Sequence, residues 1–160
     1  MRKIAASIAA AAFCAIAVAG CTQGVKLDRM YQFDGAVFSI PSSWETEEDV
    51  DDLSSILWIT GDGVAITIQA NPDSSPYEDI DELKYDMRDS LGMDTEFEEI
   101  RKKDQTLVVC EWKTSDGTKE LTAVVLEDDG GYAQMFALGA CSDQQTEKTV
   151  RAVFDTLEVV

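Results

Sequence analysis

The chain of 160 residues contains no histidine, and its 13 lysines and arginines face 31 aspartates and glutamates. Each shortage removes a class of function. Without histidine there is no Ser-His-Asp or Cys-His nucleophile arrangement and no histidine-ligated metal centre. The usual general base near neutral pH is missing too. Ser39, Ser42 and Ser43 therefore have no imidazole to activate them. The formal charge of −18 argues against nucleic acid as a partner, because lysine and arginine drive binding to phosphates. Anionic lipid headgroups should repel such a body as well. Long apolar runs are also scarce. Ile4 to Val18 is an uncharged run of 15 residues, short of the roughly 20 that a membrane-spanning helix needs.

That run fits a signal peptide instead. Arg2 and Lys3 precede it as a cationic n-region, and the small residues Ala19 and Gly20 lead to Cys21. The stretch Val18-Ala19-Gly20-Cys21 resembles a bacterial lipobox, with valine in place of the commoner leucine. The resemblance implies a diacylglycerol thioether on the Cys21 thiol and cleavage just before it. Acyl chains contribute roughly 0.8 kcal/mol per buried CH₂, so two or three hold a protein firmly to a membrane. Removing residues 1–20 takes away two basic residues and no acidic ones. It leaves 140 residues with a formal charge of −20, enough for one domain with a sizeable core. Residues 1–20 are therefore assigned to the signal, 21–30 to a lipidated tether and 31–160 to the domain.

Alternation begins at Tyr31. "YQFDGAVFSIP" reads as one strand or two short ones, ended by Pro41. Trp44 follows a Ser-Ser turn, and "ETEEDVDD" reads as an acidic loop. "SSILWITGDG" and "VAITIQA" read as a hairpin turning at Gly-Asp-Gly. Ser75, Pro76 and Glu78 predict a helix start, and Gly92 its stop, over 76–91 with Ile80, Leu83, Met87 and Leu91 on one face. Strands follow at about 105–114, 119–127 and 132–139, preceded by a short one at "EFEEIRK". Asp116-Gly117 and Asp129-Gly130 signal the hairpin turns. "TLVVCEW" and "LTAVVL" are apolar on both phases, as in a sheet covered on both faces. Ser142 with Gln145 predicts a terminal helix whose inner face is Val150, Val153, Phe154 and Leu157.

The strand ending Phe38-Ser39-Ile40-Pro41, followed closely by Trp44, resembles the start of PsbP-like domains, although Ser43 stands where that family often has glycine. The element order from about 31 to 158 is similar. The resemblance implies an α+β fold: an antiparallel sheet sandwiched between helices, in the order strands, helix, strand meander, helix. Members mostly act as accessory or binding proteins, and fold alone does not assign function.

The chemical candidates are few. Cys110 and Cys141 invite a disulfide in an exported protein. Two-residue turns at Asp116-Gly117 and Asp129-Gly130 would place Cys110 opposite Ala123 and Ala123 opposite Phe136. Cys141 would then lie about 16 Å further along the strand, beyond the ~7 Å Cα separation that a disulfide allows, so free thiols are expected. The acidic run Glu45, Glu47, Glu48, Asp49, Asp51 and Asp52 offers oxygen ligands to Ca²⁺, but it lacks EF-hand spacing and reads as a solvated charge run. No pair of carboxylates stands out as an acid/base couple. Trp44, Trp58 and Trp112 are candidates for a groove that receives a peptide or an apolar ligand. The expectation is a non-enzymatic accessory module, lipid-anchored at Cys21 on the extracytoplasmic side of the cell membrane. It would bind an envelope protein and no nucleic acid, metal or cofactor. The alternative is a carrier or sensor of a small apolar ligand or a cation.

Overall fold

The computed structural model describes residues 24–50 and 55–160. The signal segment and Cys21 lie outside the described residues, as do Asp51 and Asp52 of the acidic run. Strands β1 (Arg29–Phe33), β2 (Ala36–Ile40), β3 (Glu45–Val50), β4 (Ser55–Gly61) and β5 (Val64–Asn71) come first. Helix α1 (Ile80–Leu91) follows, then β6 (Glu96–Arg101), β7 (Gln105–Lys113), β8 (Lys119–Glu127) and β9 (Tyr132–Leu138). Helix α2 (Gln144–Asp155) and the short β10 (Glu158–Val159) close the chain.

The strands form two antiparallel sheets. The large one has seven strands in the order β3-β4-β5-β9-β8-β7-β6, and the small one has three in the order β1-β2-β10. This corrects the expected sheet between layers of helices. Sheet dominates, and the described residues contain two helices of 12 residues each. Geometry explains why they cannot form covering layers. Such a helix is about 18 Å long and about 10 Å wide, whereas seven strands at about 4.8 Å spacing span roughly 29 Å. One face of the large sheet is covered mainly by the small sheet and α2. There Phe38, Ile40, Trp44, Val150, Val153 and Phe154 pack on Leu57, Ile66, Leu121 and Met135. On the other face α1 alone supplies Leu83 and Met87, which meet Val108, Cys110, Val124 and Leu126.

Local chemistry shifts several boundaries. α1 starts four residues later than predicted, because Asp79 makes the better cap: its carboxylate accepts from Glu82 N at 2.9 Å. The Glu82 side chain in turn accepts from Glu78 N at 2.6 Å. Ser75 only closes a local turn, accepting from Tyr77 N. In α2 the cap is Asp143 rather than Ser142, accepting from Gln145 N and Thr146 N. Leu157 lies just past α2 but is buried as predicted. The segment from Glu45 to Val50 is an edge strand, not a loop. β1 begins at Arg29, inside the expected tether, and Asp28 already ties the chain to the β2–β3 turn by accepting from Ser42 N at 2.7 Å.

Turn length sets the register. At Asp34-Gly35 and Asp62-Gly63 both residues have positive φ, giving two-residue loops with Phe33 opposite Ala36 and Gly61 opposite Val64. At Asp116-Gly117 and Asp129-Gly130 only the glycine does. There a third residue joins each loop, shown by the bonds Thr114 N to Thr118 O and Glu127 N to Gly131 O. The pairing therefore slips by one: Cys110 faces Thr122, and Ala123 faces Met135. Both cysteines are free. Cys110 packs under α1, and Cys141 packs against the opposite core.

The C-terminus is held by side chains of the β6–β7 turn region. Lys102 Nζ donates to Asp155 O at 2.9 Å and Leu157 O at 2.8 Å, a cation at the C-terminal end of α2. Gln105 pairs with both backbone groups of Val159. Trp44 is locked differently: a Cβ on Gly61 would come within 2.1 Å of its ring. Gly61→Ala is therefore expected to lower stability by about 1–3 kcal/mol. The cost should shrink in a Trp44→Leu background, and urea midpoints of the four proteins in this double-mutant cycle measure the difference.

Candidate functional site

The three tryptophans separate. Trp44 is 1% exposed and belongs to the main core, with its Nε1 donating to Asp62 Oδ2 at 2.9 Å. It lines no groove. Trp58 and Trp112 lie on the opposite face of the large sheet. The register shows this directly, because residues paired across an antiparallel ladder share a face. Trp58 pairs with Thr67, Thr67 with Phe136, Phe136 with Thr122, and Thr122 with Cys110. This row crosses five strands from β4 to β7. Trp112, two residues along β7 from Cys110, reaches back over β8. Its ring centroid is 5.2 Å from that of Phe136, and its Nε1 donates to Thr122 Oγ1 at 3.2 Å.

Helix α1 covers only the β6–β8 side of this face. Lys84 pairs with Glu99 on β6, and Arg88 lies over the Phe97 ring at 4.9 Å. Among the described residues, β4, β5 and most of β9 stay open on this side, Tyr132 at one end of β9 packing with the α1 cluster. Trp58 is 43% exposed and Leu138 47%; Phe136, beside Leu138, and Ile56, on the other side of Trp58, are half-buried, with Thr67 between Trp58 and Phe136. Carboxylates rim the apolar row. On β3 the exposed Glu45, Glu47 and Asp49 pair with Thr60, Trp58 and Ile56, so all three share the Trp58 face. On β8, between β9 and Trp112, its register partner Glu120 is buried, 6% exposed, and accepts from Ala140 N at 3.3 Å. Among the described residues, no lysine or arginine of β3, β4, β5 or β9 contributes a charge to this face.

The clefts elsewhere are open, and one of about 440 Å³ runs along α1 past Lys84, Tyr85, Arg88 and Met93. A second, of about 470 Å³, lies at the start of α1, lined by Glu78, Asp79, Glu99, Arg101 and Asp128 among others. Its guanidinium is already paired, Arg101 Nη1 and Nη2 donating to the two Asp128 oxygens at 2.8 and 2.6 Å. Another, of about 630 Å³, runs beside Trp112 past Met93, Lys113 and Lys119. None joins the three tryptophans. Among the described residues, no group of three or more cysteine and carboxylate side chains is placed to hold a metal ion. Cys110 offers no nucleophile, since burial pushes its thiol up to about 12. No helix among the described residues is long and apolar enough to cross a membrane. In comparisons with known proteins, no family model matches the chain and no curated protein sequence matches it.

The sequence reading thus picked two of the aromatic residues on this face, missed Ile56, Phe136 and Leu138, and named Glu47 only as part of an acidic loop. Alternation in "YAQMFAL" carries Phe136 and Leu138 on one phase and the core residues Ala133, Met135 and Ala137 on the other. Glu47 was hidden because its strand was read as a loop. The tryptophan environments give a direct check. Acrylamide is expected to quench Trp58 and to leave Trp44 untouched in the folded protein. Trp58→Phe should then remove most of the quenchable emission, and Trp44→Phe should leave it in place.

Proposed function

We propose that this protein is a lipid-anchored accessory module on the extracytoplasmic side of the cell membrane, which binds an envelope protein and catalyses no reaction. The observation that carries the binding role is the open half of the large sheet, where Trp58, Leu138, Phe136 and Ile56 form an apolar surface rimmed by carboxylates. An apolar patch with a polar rim is the usual form of a protein-binding surface. A carrier of small molecules would instead enclose its ligand in a mostly apolar cavity, and the tryptophans line no common cavity. The non-catalytic part rests on the composition: a chain without histidine, whose cysteine at position 110 is buried and protonated.

The anchoring part rests on Val18-Ala19-Gly20-Cys21. It agrees with a short connection, since only seven residues separate Cys21 from Arg29, where β1 begins. An extended chain rises about 3.3 Å per residue, so an acylated Cys21 would hold the domain within a few nanometres of the bilayer.

Crosslinking in native membranes, followed by affinity capture and mass spectrometry, tests both parts. The wild-type chain is expected to show an acyl mass on Cys21 and a stoichiometric protein partner. Cys21→Ala should move the protein to the soluble fraction and reduce capture of that partner. An unmodified Cys21 in the membrane fraction would overturn the anchor. Hydrolytic activity that survives Cys21→Ala would overturn the non-catalytic reading.

A further inference from the structure

Helix α1 is half of a layer. It covers β6, β7 and β8 and reaches Tyr132 at one end of β9, whereas among the described residues no helix lies over β3, β4, β5 or the rest of β9 on that face. Four strands at about 4.8 Å spacing give a strip about 14 Å wide. One helix about 10 Å in diameter fills such a strip, and helix on sheet is a standard way to bury an apolar sheet face. The strip also has a sign. Glu47 stands directly across from Trp58 on the same face, so a carboxylate and an indole are neighbours there. Glu45 and Asp49 flank Glu47 on the same face of the edge strand. A cation is held by both halves of such a pair, through charge and through the ring quadrupole. An anionic or neutral apolar helix would leave Glu47 desolvated without a partner, which is costly.

Building on the binding role proposed above, we infer that the open β3–β4–β5–β9 face takes an amphipathic helix of the partner. Its apolar side lies on Trp58, Phe136 and Leu138, and its lysine or arginine side chains reach Glu45, Glu47 and Asp49. The partner segment completes the layer that α1 begins. A second copy of this chain is a poor occupant, because its own face brings the same acidic rim and, without residues 1–20, a body of formal charge −20. An anionic membrane surface is excluded by the same sign.

The probe is an 18-residue synthetic peptide with leucine at i, i+3, i+4 and i+7 spacing and lysine at the remaining positions. Binding to the full chain is measured by isothermal titration calorimetry at low and physiological salt. Trp58→Ala is expected to weaken binding about tenfold, as truncating an anchor aromatic does. The variant Glu45→Gln/Glu47→Gln/Asp49→Asn should weaken it similarly and flatten its salt dependence. The control Asp34→Asn/Asp104→Asn/Asp129→Asn removes the same charge from exposed turns outside the open strip and should bind within about twofold of wild type. Circular dichroism confirms that each variant is folded. Equal loss in the control would show attraction to a polyanion rather than to this face, and would overturn the inference. So would undiminished binding by Trp58→Ala, or equal binding of a peptide with glutamate in place of lysine. A wild-type dimer in sedimentation velocity that Trp58→Ala dissociates would overturn it in favour of self-association. Repeating the membrane crosslinking with these variants separates the two readings. Partner capture lost with Trp58→Ala but kept by the Glu45/Glu47/Asp49 variant would leave the binding role standing and remove the cationic helix.

Discussion

Strand β8 buries seven consecutive residues, Glu120 to Leu126. A strand turns alternate side chains to opposite faces, so a fully buried strand must be covered on both sides at once. Its neighbour β7 buries Thr106 to Cys110 and has the same need. Fully burying a side chain the size of valine or leucine contributes about 1.5–3 kcal/mol. Val108, Val124 and Leu126 would lose most of that if α1 were absent, and Leu107, Leu121 and Val125 if the small sheet and α2 were absent. The other elements are arranged around this double requirement. α1 sits where the second face of β7 and β8 needs it and goes no further.

The main-core side meets the requirement with more chain. β1, β2, β10 and α2 lie there, and polar grips from the large sheet hold them. Lys102 binds the carbonyls of Asp155 and Leu157 at the end of α2, and the Gln105 side chain pairs with the Val159 backbone, while within the small sheet Val160 N donates to Gly35 O at 2.8 Å. Arg151 performs the same service at the other end, reaching Glu111 on β7 at 3.0 Å and Glu147 on its own helix at 2.9 Å. These contacts are half-buried, so they orient α2 more than they stabilise it. The apolar residues Val150, Val153 and Phe154 supply the binding energy between the layers. Trp44 closes one end of this core, and glycine at position 61 is the only residue that leaves room for its ring.

The strands were legible where apolar and polar residues alternate or where apolar runs are continuous. "VAITIQA", "TLVVCEW" and "LTAVVL" announce β5, β7 and β8, and Gly92 announces the end of α1. Three things were not legible, each for a physical reason. Glu45 to Asp49 carry little β propensity, and the strand exists because β4 offers a ladder while the acids point to water. The Asp-Gly pairs look alike in sequence but close loops of two lengths. The extra residue at Ser115 and at Asp128 shifts the register by one and would invert every face assignment built on it. The width of the sheet was invisible for a third reason. The β5–β9 pairing that joins the first hairpins to the later meander spans more than sixty residues, and no local pattern encodes such a contact. With the join unknown, two helices looked sufficient to cover the sheet. With it known, half of one face is left open, and the three tryptophans fall on two different sides.

The acids of β3 admit a simpler role, which is to keep an edge strand from pairing with another sheet. That role accounts for charge on an edge, yet it is indifferent to sign and to what stands next to the charge. Lysine would serve it as well or better, and β6 at the opposite edge carries Arg101 as well as Glu96, Glu98 and Glu99. What edge protection does not account for is the composition of the neighbouring strand. Trp58 and Ile56 on β4 face outward beside these carboxylates, where threonine or lysine would be more soluble and equally able to hold a strand. A stability requirement does not call for them either, since side chains that are open to water contribute little burial. A carboxylate row against an aromatic row is costly to solubility on one side and to desolvation on the other, unless one occupant satisfies both. The occupant we infer is apolar on one flank and cationic on the other. The incompleteness of the α1 layer and the sign of its rim are then a single property of the surface.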